Sequence, residues 1–557
     1  MKSLIAAFLV SFQMLAAETV GPSAAPDAGS LLRQIQPVPV PAPSGRGMDL
    51  ITEKPQNEAG PPSAAPFLVK TIEITGNRLF PTATLQALVA DADGQTLTLA
   101  QLGEKAARIS DYYHRHGYYL AQAMIPAQEI RAGIVTIQVT EAYYGAIRFD
   151  NRSRLDNQLL QDLFSPLAGG QAVSQAGLDH ALLLLADVPG VVVSATLQPG
   201  QTLGTTDLMV VASPGQTVSG NVVLDDYGNR YTGRMRAGGT VNLNNPLHQG
   251  GILSASVLSS GRGLNYGRVA YEWLLNGQGT RLGGSYSTLH YILGGPLEYL
   301  AAHGTAQLAS LWAKQPLVRS RNLNLYGQIQ YDGLELRDHI DATGIQTDRH
   351  LRSATLSLAG DARDQLWGGG ITLWRLDWVS GRVEFDNGAA RLADAATAGT
   401  QGGYTSLNAK IWRLQNLTQK DSLFLAFSTQ WANTNLDSSG KMIAGGPYTV
   451  RAYELGAVAG DTGHVGTVEF RHALGAAWRS QWQAVAFFDS AHVTINQTAW
   501  SRGMNSASLH GVGLGLSWEG PHEWSAKASI ATRVGPIPAL LDQPATTHLW
   551  VELSRRF

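Results

Sequence analysis

Few side chains in this sequence are spaced for covalent chemistry. Cysteine is absent, which excludes disulfides, thiolate nucleophiles and zinc–thiolate sites. Neither a G-x-x-x-x-G-K-[ST] phosphate cradle nor an H-E-x-x-H metal pair occurs, and a G-x-S-x-G nucleophile elbow is also missing. Gly511-Val512-Gly513-Leu514-Gly515 is glycine-rich, but it lies in an alternating strand with no helix after it and reads as small-residue packing. His114 and His116 flank Arg115 at a helix end, which fits a surface better than a metal site. What remains is ion pairing. Between Gln481 and Asp489 a period of two puts Gln481, Gln483 and Asp489 on one face, with Trp482, Ala484, Ala486 and Phe488 on the other. Val465 to Arg471 puts Thr467, Glu469 and Arg471 together, opposite Val468 and Phe470. Two neighbouring strands thus turn carboxylates to one polar face, where they could receive the planar fork of a guanidinium.

The elements that would position those strands follow from composition. A chain of 557 residues is too long for one compact domain. Its 41 Lys+Arg and 43 Asp+Glu nearly cancel, so there is no basic footprint for nucleic acid. Charged residues reach only 15%, against roughly 25% in soluble domains. Met1-Lys2-Ser3, an apolar run from Leu4 to Leu15 and Ala16-Ala17 describe a secretory signal peptide over residues 1–17. Nothing later supplies the ~18 consecutive apolar residues of a membrane helix. If the exported protein spans a membrane, it does so with strands.

Residues 18–66 are rich in Pro, Ala, Gly and Ser and read as an extended linker. One amphipathic turn or two interrupts it, carrying Leu31, Leu32 and Ile35, with Asp27 or Ser30 as cap and Pro37 as stop. Residues 67–144 then predict a β-α-α-β-β unit. Phe67 to Thr75 is a strand, and Pro81 opens a short helix. Thr98-x-x-Gln101 is a capping box ahead of a helix with Leu102, Ala106, Ile109 and Tyr113 inward and Gly117 at its close. Strands are expected over Tyr118 to Ile125 and Ile134 to Thr140. Residues 145–214 repeat the order: a strand over Ala146 to Phe149, helices near Leu155 to Leu163 and after Ser174, and strands at Val191 to Leu197 and Thr205 to Ala212.

From about residue 215 the texture changes to short alternating segments that run to Phe557. Leu323, Leu325, Gly327, Ile329 and Tyr331 alternate with Asn324, Tyr326, Gln328 and Gln330. Alternation alone also fits a soluble β-sandwich or propeller. The leader, the uncharged polar face and a last strand with Val551, Leu553 and Phe557 on one face favour a transmembrane β-barrel, with lipid outside and water inside. At roughly 10 residues per span plus turns and loops, the remaining length accommodates about 16 strands.

Several motifs carry a family resemblance. His116-Gly117-Tyr118-Tyr119, Pro126-Ala127-Gln128-Glu129-Ile130, Val139-Thr140-Glu141 and Leu203-Gly204-Thr205-Thr206-Asp207-Leu208 resemble the transporters of two-partner secretion, the TpsB family of the BamA-like superfamily. So do Val450-Arg451-Ala452-Tyr453 and Phe487-Phe488-Asp489-Ser490-Ala491, which are similar to the Val-Arg-Gly-Tyr/Phe and Phe-x-Asp-x-Gly motifs. The resemblance implies two POTRA domains, an N-terminal plug helix at Asp27 to Ile35, and a loop that folds into the barrel. On that loop Arg451, followed by Tyr453, would lock onto Asp489 beside Phe487, with Glu469 a weaker partner. Ala452 and Ala491 stand where the family has Gly, a departure that matters if the backbone there needs positive φ. The implied function is capture of a secreted partner protein (a TpsA-type exoprotein) by the POTRA domains and its passage through the barrel, with no cofactor, metal, nucleotide or catalysis. Capture by β-augmentation is expected, with the strand around Tyr119, Leu120, Ala121 and Met124 as one edge of the groove. Phe557, Leu553 and Val551 would present the signal read by the barrel-assembly machinery, and outer-membrane lipid would surround the barrel. The alternative within the superfamily is a barrel-assembly factor; those resemble longer chains with more POTRA copies.

Overall fold

Alternation decides the larger part of the molecule. In the computed structural model, strands between Val218 and Arg556 close into one antiparallel barrel of 16. Its outer face carries the exposed apolar set, including Leu311, Ile329, Leu356, Phe427 and Leu514, as a wall in hydrocarbon requires. The seam joins Val218–Asp225 to Thr547–Arg556, from Asn221 opposite Arg556 to Asp225 opposite Glu552. Phe557 extends it, exchanging backbone hydrogen bonds with Gly220 at 2.8 and 3.0 Å. Residues 25–35, 50–52, 65–202, 204–477, 480–541 and 545–557 are described. The expected leader and most of the Pro-rich linker lie outside them.

Two α+β units precede the barrel. In the first, sheet order is Thr71–Thr75, Ile134–Thr140, Gln122–Met124, and Leu99–Arg115 packs Leu102, Ala106, Ile109 and Tyr113 onto it. Thr98 and Gln101 form the reciprocal cap. Full burial of Leu102 and of Ile109 contributes about 1.5–3 kcal/mol each. In the second, Tyr143–Asn151, Thr205–Pro214 and Val191–Pro199 form the sheet, backed by Asn157–Phe164 and Gln175–Ala186. The first of these helices begins after Asp156, whose carboxylate caps it, slightly later than its apolar pattern implies.

The edge of the second sheet is already occupied. Leu50–Thr52, from the segment between the N-terminal helix and the first unit, pairs in parallel with Ala195 to Leu197. This unit is also fixed to the near rim of the barrel. Asp187, the cap residue of helix Gln175–Ala186, receives Arg319 bidentately at 2.7 and 2.8 Å, and Asp179 receives Arg321 at 2.9 Å. The outer loops therefore open at the opposite end.

The expected strand over Tyr118 to Ile125 is shorter, Gln122–Met124 only. Gly117, at φ +86°, ends the preceding helix, and the chain needs Tyr118 to Leu120 to turn back. Tyr119 and Leu120 pack against the core of the second unit, and Ala121 is buried in the first. Only Met124 of the four expected groove residues is exposed. The backbone there is engaged as well: Ser110 Oγ accepts the Ala123 N–H at 2.9 Å, and His114 Nε2 meets the Ala121 carbonyl at 3.0 Å. Of the expected groove edge, Tyr119 and Leu120 therefore lie at the contact between the two units, while Gln122–Met124 is the outer strand of the first sheet.

Candidate functional site in the barrel lumen

Between strands Asp421–Ala432 and Thr462–Ala477 the chain runs through a long outer loop, 433–461. Its tip folds inward. Arg451 Nε and Nη2 donate to the two oxygens of Asp489, both at 2.8 Å, and its backbone N–H adds a third bond at 3.1 Å. Nη1 reaches Glu469 at 2.7 Å, so the supposed weaker candidate is a direct partner. Asp489 has no exposed surface and also accepts from Thr467 at 2.9 Å. Arg471 holds the other oxygen of Glu469 at 2.6 Å. The Arg451 guanidinium lies 3.4 Å from the centre of the Phe487 ring, an added cation–π contact. Removing one partner of such a buried pair costs roughly 3–5 kcal/mol, because the other charge is stranded.

Glycines on the facing strand make the seat. A Cβ on Gly511 would lie 2.5 Å from the Cβ of Ala452, and one on Gly513 would lie 2.3 Å from the Phe487 ring. Gly511 thus leaves the slot for the loop tip, and Gly513 leaves room for the Phe487 ring on which Arg451 lies. Neither Ala452 nor Ala491 has positive φ, so the backbone at these positions makes no demand for glycine. Tyr453 is buried with Val450, Ala452 and Leu509. Trp550, on the last strand, was not legible as a site residue. It donates from Nε1 to the Arg451 carbonyl at 2.7 Å, and its inward position between Leu549 and Val551 was the available signal.

A second contact fills the lumen. Helix Ala28–Ile35 buries Leu31 and Leu32 against Leu264, Leu289, Tyr291, Leu336 and Leu351 of the inner wall. The lumen is therefore not uniformly polar. On Leu323–Ile340 the inward series changes from Asn and Gln to Leu334 and Leu336 at its outer end, a switch visible in the sequence. Asp27 caps the helix by accepting the Ser30 N–H at 2.9 Å, which settles the choice between the two cap residues.

Residues 204–518 match the sequence model of the haemolysin secretion/activation protein ShlB/FhaC/HecB, and 67–142 match the ShlB-type POTRA domain. The chain belongs to the ShlB/FhaC/HecB family. Over 99% of both chains it is 26% identical to the heme/hemopexin transporter protein HuxB of Haemophilus influenzae. Over 39% of its length it is 26% identical to the outer membrane transporter CdiB of Escherichia coli, of which 36% is covered. The solved structure of CdiB from Escherichia coli matches in fold with a TM-score of 0.70 at 20% identity, covering 90% of this chain and 93% of that one. BamA from Haemophilus ducreyi, lacking POTRA domains 1–3, follows at 0.52 and 15% identity, covering 88% and 100%. As a ShlB/FhaC/HecB member the protein is an outer-membrane transporter that secretes a partner protein through its barrel, with POTRA structure on the periplasmic side. Relatives of this family are transporters by name.

Proposed function

We propose that both α+β units act as POTRA domains that take up the unfolded partner, and that helix Ala28–Ile35 is a resting plug. The Arg451 contact is then the lock that seats the infolded loop above the path. The observation that carries this reading is a lumen filled from two directions, by a helix on an apolar patch and by a loop on two buried carboxylates. A chain in transit needs both to move. Capture proceeds by strand exchange at the second sheet, where Leu50–Thr52 occupies the place an incoming extended segment would take. The near full-length similarity to a heme/hemopexin transporter favours a passenger used in haem acquisition. Val551, Leu553 and Phe557 end the barrel as an apolar outward edge, suited to lipid and to recognition by the barrel-assembly machinery.

The plug reading is tested by conductance in planar bilayers. Deleting residues 25–35 from the full chain is expected to raise single-channel conductance several-fold. An unchanged conductance in a folded barrel contradicts it.

A further inference from the structure

The lumen holds a second buried arginine that the lock does not use. Arg349, with a side chain 4% exposed, is surrounded by three carboxylates from three different elements. Nη2 donates to Asp27 of the luminal helix at 2.7 Å. Nη1 donates to Asp338 of the barrel wall at 2.7 Å. Nε donates to Asp437 at the base of loop 433–461 at 2.5 Å. Ser438 Oγ–H closes the figure: it donates to Asp27 at 2.7 Å and accepts from Arg349 at 3.1 Å.

We propose that Arg349 is a second latch of the gate, which couples the seat of the luminal helix to the base of the infolded loop so that freeing either loosens the other. The inference rests on reading the helix as a plug. Its physical ground is the geometry of a guanidinium, whose rigid fork holds its donors in fixed directions and so fixes several carboxylates in place at once. The wall contributes Arg349 and Asp338, while the helix and the loop each contribute one acid. Without the arginine, three buried carboxylates would confront one another and both movable elements would be expelled. Asp338 also accepts the Ala28 N–H at 2.8 Å, so the positive end of the helix joins the same cluster. Helix and loop touch directly too, since a Cβ on Gly29 would lie 2.5 Å from Ser438 Oγ. At the other end of the helix, Asn229 donates to Gln34 at 3.0 Å and to the carbonyl of Leu455, four residues past Arg451, at 3.5 Å. The loop thus borders the helix at both ends. The cluster shares no residue with the Arg451 lock.

The absence of cysteine makes the test direct. In the full chain in detergent, Ala25→Cys reports on the helix and Thr449→Cys on the loop, each read by its rate of maleimide labelling. Heat-modifiable migration confirms a folded barrel. Arg349→Ala is expected to speed both reporters by about tenfold, within the range of coupling between two sites. Arg451→Ala is expected to speed the helix reporter as well, because coupling is reciprocal. If Arg349→Ala does not fold, Asp27→Asn keeps a capping side chain and removes only the charge on the helix; it is expected to speed both reporters to a smaller degree. Labelling at the parental rate in a folded variant, or a helix reporter that responds while the loop reporter does not, overturns the coupling. No passenger is involved, so this outcome is separable from any result on secretion.

Discussion

At the residue scale, the loop tip depends on what surrounds it. Alternation alone put Asp489, Glu469 and Thr467 on one face, and all three meet around Arg451. That Arg451 itself enters the lumen was legible only through the family motif, because nothing in loop composition says which way a loop folds. The glycines opposite were read as packing, but their partners lie in distant segments and pairwise fit is invisible in one sequence. A specific outcome follows. Gly511→Val forces a side chain into the space of Ala452 and is expected to unseat the tip, seen as faster hydrogen exchange over 445–460. Ala452→Gly in the same chain should restore protection. Glu141 gives a second residue-scale prediction, in the first periplasmic unit. Burial pushes its carboxyl up, but hydrogen bonds from Tyr113, Tyr143 and the Leu79 and Arg78 amides outweigh that and hold it below the usual value of 4.5. A depressed folded-state pKa means stability fully present above that value and lost as pH falls through the folded one. Exchange protection over 67–142 should therefore drop as pH is lowered below about 4.5, and Glu141→Gln should flatten that dependence.

At the element scale, periodicity served well where an element buries one face and poorly where two units share a surface. The helix with Leu102, Ala106, Ile109 and Tyr113 lies where its spacing puts it, since one core explains those residues. Tyr119 and Leu120 look like alternating strand in isolation, yet their apolar area belongs to the neighbouring unit. The pairing of Leu50–Thr52 with Ala195 to Leu197 could not be read from composition, because a three-residue strand in a linker has no periodicity to detect. It has a consequence for capture. Ile51→Pro removes a backbone donor that such a strand needs, and is expected to tighten binding of an extended passenger segment to the full transporter, measured by fluorescence anisotropy. Unchanged or weaker binding would place capture elsewhere than on this edge.

At the scale of the whole molecule, the luminal helix and the infolded loop both lie inside the barrel, which on the proposed reading makes its interior a guarded path. The second unit is clamped to the rim through Arg319 and Arg321, and the proposed gating assigns movement to the helix and the infolded loop. Barrel and strand number were legible from alternation and length. The apolar patch at the outer end of the lumen was not legible, although Leu334 and Leu336 break the polar series, because composition does not say what covers a leucine inside a barrel. Water-facing leucines are costly, so that patch needs an occupant, and the helix supplies it. The measurement that bears most directly on this account is secretion of the large exported partner in a Gram-negative host, comparing the intact chain, Arg451→Ala and a chain lacking residues 67–142. The account predicts passenger outside the cell only with the intact chain, while both variants still insert as heat-modifiable barrels. Secretion that proceeds without this protein, with other outer-membrane barrels lost on its depletion, would contradict it and mark an assembly factor instead.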